Sequence, residues 1–322
     1  EITGRLFFSE HLNNHTFRGR QLTLALNEML VKVFKMGLNA TYYLLGENLF
    51  HKFGLDNYFE VKKDIEEFRA VCLKIVQEKK ASFLQKKKKG IELSKKDMLD
   101  NLFDKMGTAE EKELELSDDD IVDEFITFFL AGMETTAHLA CLSAYFMAKN
   151  KYFQIRAREE TNLHYKDGQN VSIEDIQKMD FNYALNKEVL RIATPSPALF
   201  PRVAIKDHYL NDVFIKKGTL VSVGIIVNNH DPAHFDNSDK FDPDRWLKTP
   251  QLSDTYTYIP FSSGHRNCIG QHLAQIEARI LTSELLRRYD FTLEEPQELK
   301  MTIKGMYEPA NTIYFNLKKR SS

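Results

Sequence analysis

The sequence predicts a mostly α-helical protein with small β-sheets, of the α+β class. Two observations support this prediction. Apolar residues recur with the period of a helix through the first two-thirds of the 322-residue chain, and short β-like runs follow toward its end. Because 43% of the residues are hydrophobic, the chain has enough apolar side chains for a sizeable core.

Charge and cysteine content exclude several classes of protein. The chain has 44 basic and 46 acidic residues, a formal net charge of −2, so it lacks the basic excess expected of a nucleic-acid-binding protein. Its three cysteines, Cys72, Cys141 and Cys268, are far apart. We therefore expect no disulfide framework and a reducing, cytosol-facing environment. The sequence contains no uninterrupted run of 18 apolar residues, so no membrane-spanning segment is expected.

Amphipathic helices are predicted in the N-terminal part of the chain. Residues 20–36 place their apolar side chains along one face. A second helix follows a turn-rich aromatic stretch and ends in the sequence QKKKKG, residues 85–90. The glycine stops this helix, and the lysines suit the negative end of its dipole.

The longest predicted helix covers about residues 117–149. Ser117 is its expected N-cap, and the aspartates at 118–120 suit the positive end of the helix dipole. At ~1.5 Å per residue the helix is about 50 Å long. It is apolar on several sides, which predicts a central and largely buried position.

The interior of this helix contains the unexpected sequence GMETT, residues 132–136. One interpretation is a helix kink in which the hydroxyls donate to carbonyls one turn earlier. Another is a groove for a diatomic ligand, in which Glu134 and Thr135 form an acid–alcohol pair that delivers protons. The segment by itself leaves both interpretations open.

After two further helical patterns, at about 151–165 and 172–192, the chain changes character. The β-like runs are residues 202–207, 213–227 and 312–318. A meander rich in proline and aspartate lies among them, and a last helix is predicted at about 269–288.

Cys268 lies in the sequence GHRNCIG, between Gly264 and Gly270 and close to Arg266. The glycines allow unusual backbone conformations and the approach of a flat or bulky group. Backbone N–H groups at the following helix start would favour the thiolate form of Cys268. A single thiolate does not suit zinc, which takes about four ligands, but it suits haem iron, with Arg266 beside a propionate. We therefore expect the sulfur to face a cavity rather than solvent; the alternative, a small buried hydrophobe, is disfavoured by the glycines and the arginine.

Glu188 and Arg191 are three residues apart in the sequence EVLR and share one face of a predicted helix. By itself such a pair is common on protein surfaces and contributes only tenths of a kcal/mol. Arg245, in the sequence FDPDRW, is a second possible partner for Glu188.

These segments together resemble the cytochrome P-450 family of haem-thiolate monooxygenases, and most closely its eukaryotic microsomal members. AGMETT (131–136) resembles the oxygen-binding segment of the family's long central helix, and EVLR (188–191) its Glu-x-x-Arg motif. FDPDRW (241–246) resembles the meander motif. FSSGHRNCIG (261–270) fills every position of the signature Phe-x-x-Gly-x-Arg-x-Cys-x-Gly. The four motifs stand in the family's order, and the resemblance covers essentially all of 20–322.

The resemblance implies a haem site. The implied cofactor-binding residues are Ala131, Gly132, Arg202, Phe261, Gly264, Arg266, Cys268 and Gly270. Cys268 would be the axial ligand of the iron, and Arg266 and Arg202 would contact propionates. Phe261 would pack beside the sulfur, and Ala131 would line the distal pocket.

The resemblance also implies catalytic and structural roles. Glu134 and Thr135, with Gly132, would serve oxygen activation. Glu188, Arg191 and Arg245 would form a partly buried charge cluster that fixes the haem-binding core.

The implied activity is insertion of one oxygen atom of O2 into an apolar substrate: a fatty acid, a sterol or a foreign compound. The cofactor would be haem b, iron protoporphyrin IX. Electrons would come from NADPH through a separate flavin-containing reductase, since the chain has no dinucleotide-binding glycine motif. The family resemblance further implies a cytosol-facing position at the endoplasmic reticulum membrane, with membrane association of the full-length protein.

The chain also departs from the family pattern. Its single tryptophan, Trp246, does not belong to the family's Trp-x-x-x-Arg haem motif, and the chain is shorter than usual. We therefore expect one partial domain over 1–322, lacking the N-terminal helices and part of the larger sheet. Within it, 20–193 is the helical part, and 194–322 holds the small sheets, the meander, the haem loop and the last helix. Two alternatives stay open: a non-catalytic truncated fragment, and a reductase-independent haem-thiolate isomerase or dehydratase acting on lipid hydroperoxides.

Overall fold

The computed structural model describes residues 2–37, 49–91, 95–106, 116–165, 171–249, 254, 256–304 and 306–320. Within these residues the protein is mostly helical with small two-stranded sheets, which confirms the predicted fold class. The chain forms two compact units, Glu1–Glu134 and Thr135–Ser322. The prediction of a single partial domain, divided at residue 193, stays a prediction.

The described helices vary widely in length. They are α1 (Ile2–Phe8), α2 (Leu22–Gly37), α3 (Tyr58–Lys88), α4 (Met98–Lys105), α5 (Asp118–Lys149), α6 (Lys151–His164), α7 (Ile173–Gln177), α8 (Asp180–Ile192), α9 (Ile225–Asn229), α10 (Asp244–Lys248) and α11 (Gln271–Arg288).

The described strands are short and pair antiparallel, two to a sheet. The pairs are β1 (Thr16–Phe17) with β2 (Arg20–Gln21), β3 (Arg202–Val203) with β6 (Leu220–Val221), β4 (His208–Leu210) with β5 (Val213–Ile215), β7 (Tyr289–Leu293) with β10 (Phe315–Lys319), and β8 (Met301–Ile303) with β9 (Tyr307–Pro309).

Two predicted elements differ from the structure. The helix expected over 172–192 is divided into α7 and α8, which are separated at Lys178 and Met179. The β-like run at 213–227 ends early, because Ile225–Asn229 form helix α9. The carbonyl of Asn229, at the end of that short helix, accepts a hydrogen bond from Nη1 of Arg191 at 2.8 Å. A contact so distant in sequence cannot be deduced from local hydrophobicity.

The first unit is built on phenylalanine packing. Phe8 of α1 and Phe125 of α5 are fully buried, and their ring centroids lie 4.3 Å apart. The α5 helix starts as predicted: Oγ of Ser117 accepts the N–H of Asp120 at 3.2 Å, and the carboxylate of Asp120 accepts the N–H of Ser117 at 2.8 Å. Oγ of Ser117 also donates to the carboxylate of Asp120 at 2.6 Å. This side-chain hydrogen bond first, and then the one from the N–H of Ser117, lowers the pKa of Asp120.

The α5 helix is less buried than the sequence predicts. Its buried residues concentrate near its two ends, at 121–129 and 139–147, while 130–138 is mostly part-exposed. The polar GMETT sequence therefore lies in the less buried part of the helix. By length and composition α5 could also cross a membrane, but core helices of soluble proteins meet the same criterion.

In the second unit, α11 packs against α6 and α8, and β7 pairs with β10 beside them. Glu160 of α6 fixes the start of α8. Its carboxylate accepts the N–H of Phe181 at 2.7 Å and that of Asn182 at 2.8 Å. These are the N–H groups that a helix leaves unpaired at its first turn, so α6 supplies the cap that α8 does not supply itself.

Candidate functional site

Glu188, on α8, is fully buried and accepts hydrogen bonds on both carboxylate oxygens. Oε1 accepts from Nη2 of Arg191 at 2.9 Å and from Nε of Arg245 at 3.0 Å. It also accepts the N–H of Asp242 at 3.0 Å. Oε2 accepts from Nε of Arg191 at 3.0 Å and from Nε1 of Trp246 at 2.9 Å. Five donors from two parts of the chain, Arg191 and the stretch 242–246, thus converge on one carboxylate.

Arg191 is also fully buried and binds the irregular meander through backbone carbonyls. Its Nη1 donates to the carbonyls of Asn229 at 2.8 Å and Ser238 at 2.6 Å. Its Nη2 donates to the carbonyl of Lys240 at 3.1 Å. The guanidinium therefore satisfies carbonyls that no strand or helix pairs, and it fixes a segment with little regular structure of its own.

The structure thus brings Glu188, Arg191 and Arg245 together, as the resemblance implied. The interpretation of Glu188 and Arg191 as an ordinary surface pair is wrong, because both side chains are 0% exposed. Sequence reasoning missed Trp246 as a partner of the carboxylate. The available signal was its position immediately after Arg245 in FDPDRW.

The cysteine loop precedes α11. Gly264 has φ +80°, a left-handed conformation that favours glycine, at the start of the short turn Gly264–Arg266. The N–H of Cys268 donates to the carbonyl of Phe261 at 2.8 Å and closes the loop. The N–H of Ala274 donates to the carbonyl of Gly270 at 2.8 Å, in the first turn of α11.

Cys268 is exposed, so the expectation that its sulfur faces a cavity rather than solvent is not met. Arg266 is exposed as well, and Ile269 is 83% exposed. The described hydrogen bonds that hold the loop are made by its backbone.

The loop nevertheless fits a haem group. A Cβ atom built on Gly264 would meet no atom within 4 Å, and one built on Gly270 would meet only Sγ of Cys268, at 3.9 Å. A flat macrocycle can therefore approach the backbone beside the sulfur. The donor set is a thiol for the iron and the guanidinium of Arg266 for a carboxylate, and both side chains are accessible.

The other residues of the implied haem site lie in regular elements. Phe261 is part-buried and packs against the core of the second unit. Arg202 is exposed on β3, opposite Val221 of β6. The role of Arg202 toward a propionate stays a prediction.

The segment AGMETT is continuous helix within α5, so the described backbone contains no helix break at this point. Ala131 is exposed, and Gly132, Glu134 and Thr135 are part-exposed. A Cβ on Gly132 would lie 2.9 Å from Cγ2 of Thr3 on α1. Gly132 therefore allows α1 to approach α5 closely, a packing role that sequence reasoning missed; its role in oxygen activation stays a prediction.

His138 lies one helical turn after Thr135 on α5 and was also missed by sequence reasoning. Its Nε2 is buried and has no hydrogen-bond partner among the described residues. Burial lowers the pKa of His138 to about 4. The imidazole is therefore neutral at physiological pH.

Comparison with known proteins identifies the family. The family model described as cytochrome P-450 matches residues 1–316, so the chain belongs to the cytochrome P-450 family, whose members are normally oxidoreductases.

The relatives include animal and plant proteins. The chain is 31% identical over 216 residues to cytochrome P-450 3A27 of Oncorhynchus mykiss, an alignment covering 66% of the chain and 42% of the relative. It is 31% identical to cytochrome P-450 4V2 of Homo sapiens, covering 64% of the chain and 40% of the relative. It is 32% identical to cytokinin hydroxylase of Arabidopsis thaliana, covering 58% of the chain and 37% of the relative. The chain thus spans less than half the length of these relatives.

Replacing Glu188 with glutamine tests the charge cluster. The neutral amide leaves two arginines without their counter-charge and turns an amino group toward their donors. We expect Glu188→Gln to lower the free energy of unfolding by about 3–5 kcal/mol, the usual cost of breaking a buried ion pair. Denaturant unfolding followed by far-UV circular dichroism measures this, and the fluorescence of Trp246, the only tryptophan, reports directly on the cluster.

Glu174→Gln, at an exposed position on α7, is the matched control and should unfold like the parent. A change within about 0.5 kcal/mol for Glu188→Gln, the range of ordinary surface substitutions, would contradict the stabilising role of the cluster.

The pKa of His138 predicts acid sensitivity. Its value is about 4 in the folded protein, against 6.5 for an ordinary histidine. Between these values the unfolded chain binds a proton that the folded protein does not, so stability falls as the pH drops through this window. In the parent, His138 should lower the free energy of unfolding by roughly 3 kcal/mol at most between about pH 7 and about pH 4. His138→Gln should remove this part of the pH dependence.

Denaturant titrations at several pH values measure how the free energy of unfolding changes with pH. His234→Gln, at an exposed position, is the control. If His138→Gln leaves the pH dependence of the unfolding free energy unchanged, the imidazole of His138 does not cause the loss of stability in acid.

Proposed function

We propose that the protein is a haem-thiolate monooxygenase that inserts one atom of O2 into an apolar organic substrate of the fatty acid, sterol or xenobiotic class. Family membership supports this proposal. The observation that carries it is the cysteine loop, where an accessible thiol stands beside two glycines at the start of α11. This loop belongs to the same unit as the buried Glu188 cluster.

Cys268 would hold the haem iron through Sγ. Arg266, and Arg202 on β3, would pair with the propionates of haem b, and Phe261 would pack beside the sulfur. Gly264 and Gly270 leave room for the ring edge. When bound, the haem supplies cleavage of the O–O bond and transfer of oxygen to a substrate carbon; thiolate ligation favours that cleavage.

Residues of α5 would manage protons. Glu134 and Thr135 would hold water at the oxygen side and pass on the protons needed for one oxygen atom to leave as water. Ala131 would line the substrate side of the pocket, and Gly132 would take part in oxygen activation. The reaction balances when two electrons and two protons enter for each O2, one oxygen atom going to product and one to water.

Electrons would come from NADPH through a separate flavin-containing reductase. The full-length protein would associate with the endoplasmic reticulum membrane and face the cytosol. Family membership supports both assignments, and no nucleic-acid partner is proposed for a chain of net charge −2.

Cys268→Ala tests the thiolate ligand. The substitution removes the sulfur, so we expect the reduced, carbon-monoxide-bound protein to lose the red-shifted Soret band that reports thiolate ligation. Cys141→Ala is the matched control, because Cys141 is also an exposed cysteine, and it should keep the band. If Cys268→Ala also keeps the band, Cys268 is not the ligand; if the unsubstituted chain binds no haem, the alternative of a non-catalytic fragment replaces the proposal.

Thr135→Ala tests proton delivery. We expect haem to stay bound while NADPH consumption with the reductase yields peroxide instead of product, because protons no longer reach oxygen in the right place. Peroxide and product per NADPH are measured with a panel of fatty acids and sterols, and exposed Thr249→Ala is the control. Unchanged coupling would exclude this role for Thr135, and turnover of a lipid hydroperoxide without reductase would favour an isomerase or dehydratase.

A further inference from the structure

Three side chains of the second unit form a stack between α8 and the segment before the cysteine loop. Nζ of Lys187 lies 4.0 Å from the ring centroid of Trp246 and 5.6 Å from that of Tyr258. The two rings are inclined at 47° with centroids 4.5 Å apart, so the term stack here means one cation beside two tilted rings. A cation so placed attracts the faces of both rings and limits their motion.

The hydroxyl of Tyr258 ties this stack to the backbone of α8. It donates a hydrogen bond to the carbonyl of Lys187 at 2.9 Å. Burial raises the pKa of Tyr258 well above its usual value, so the phenol keeps the proton that it donates. Nδ2 of Asn228, on α9, holds the neighbouring residue by donating to the carbonyl of Thr257 at 2.5 Å.

Tyr258 stands three residues before Phe261, whose carbonyl accepts the N–H of Cys268 at 2.8 Å. The turn between them is closed by the N–H of Ser262, which donates to the carbonyl of Ile259 at 2.9 Å. A short series of hydrogen bonds therefore connects α8 with the backbone of the cysteine. The side chains of residues 263–269 are exposed, so their packing adds little to this connection.

We propose that Tyr258 is a positioning residue for the cysteine loop. Its hydroxyl anchors the segment 258–261 to α8, and Lys187 and Trp246 hold its ring in place. Trp246 also donates to Glu188, so the same stack joins the buried charge cluster to the loop. The importance of this position for the haem ligand rests on the proposed function, whereas the mechanical connection does not.

Hydrogen–deuterium exchange of the peptide containing Cys268 tests the connection in the 322-residue chain. Tyr258→Phe removes one hydroxyl, and loss of a hydrogen bond of ordinary strength should speed exchange of this peptide about fivefold to tenfold. Tyr256→Phe is the matched control, because Tyr256 is 66% exposed in the same segment, and it should leave exchange unchanged. Peptides from α3 should exchange alike in all variants.

A second pair of variants tests the stack. Lys187→Met keeps the side-chain length but removes the cation, and we expect the Cys268 peptide to exchange about twofold to fivefold faster. Acrylamide should also quench the fluorescence of Trp246 more strongly. Lys187→Arg keeps the charge and should restore both values, while exposed Lys248→Met should change neither.

The proposal is wrong if the Cys268 peptide exchanges at the parent rate in both Tyr258→Phe and Lys187→Met. It is also wrong if exchange rises equally throughout the second unit, which would indicate general destabilisation. The reduced carbon-monoxide spectrum of the unsubstituted chain tests the haem assignment separately. If the unsubstituted chain shows no thiolate band, the proposed function fails, but hydrogen–deuterium exchange of the Cys268 peptide still decides the role of Tyr258. If the band is present, Tyr258→Phe should reduce the fraction of the protein that is thiolate-ligated.

Discussion

The burial of one carboxylate between two arginines is the interaction on which the second unit depends. Glu188 has no exposed surface, and its charge is stable there only because five donors surround it. The arrangement is demanding: removing one partner leaves another buried charge without compensation. The helix that carries Glu188 must therefore be fixed accurately, and the cap supplied by Glu160 to the start of α8 serves that need.

Residues of this cluster also hold parts of the chain that have little regular structure. Arg191 holds three carbonyls of the meander, and Trp246 holds the carboxylate with its indole N–H while its ring packs against Tyr258. The cysteine loop lies at the end of this series. Its side chains are exposed, so backbone hydrogen bonds carry the restraint that packing would otherwise supply. A buried charge cluster and an exposed cysteine therefore occur within one unit.

Local chemistry made several features predictable. The N-cap at Ser117 follows from a serine before three aspartates, and the glycine-flanked cysteine followed from the need for a backbone that a large group can approach. The division of the 172–192 helix and the helical turn at 225–229 were not predictable, because contacts with distant residues decided them. Gly132 shows the same limit: the sequence marks it as unusual, but only the structure shows Thr3 packed against it.

The sequence by itself determined the family, the mostly helical fold class and the residue types of the candidate site. Only the tertiary structure decided which of those residues are buried and which partners they have. The physical reason is separation along the chain: Glu188 meets Arg245 across 57 residues and Trp246 across 58, and Lys187 meets Tyr258 across 71. A pair of charges three residues apart looks the same in sequence whether it lies in water or in a core, and only the surrounding chain decides which.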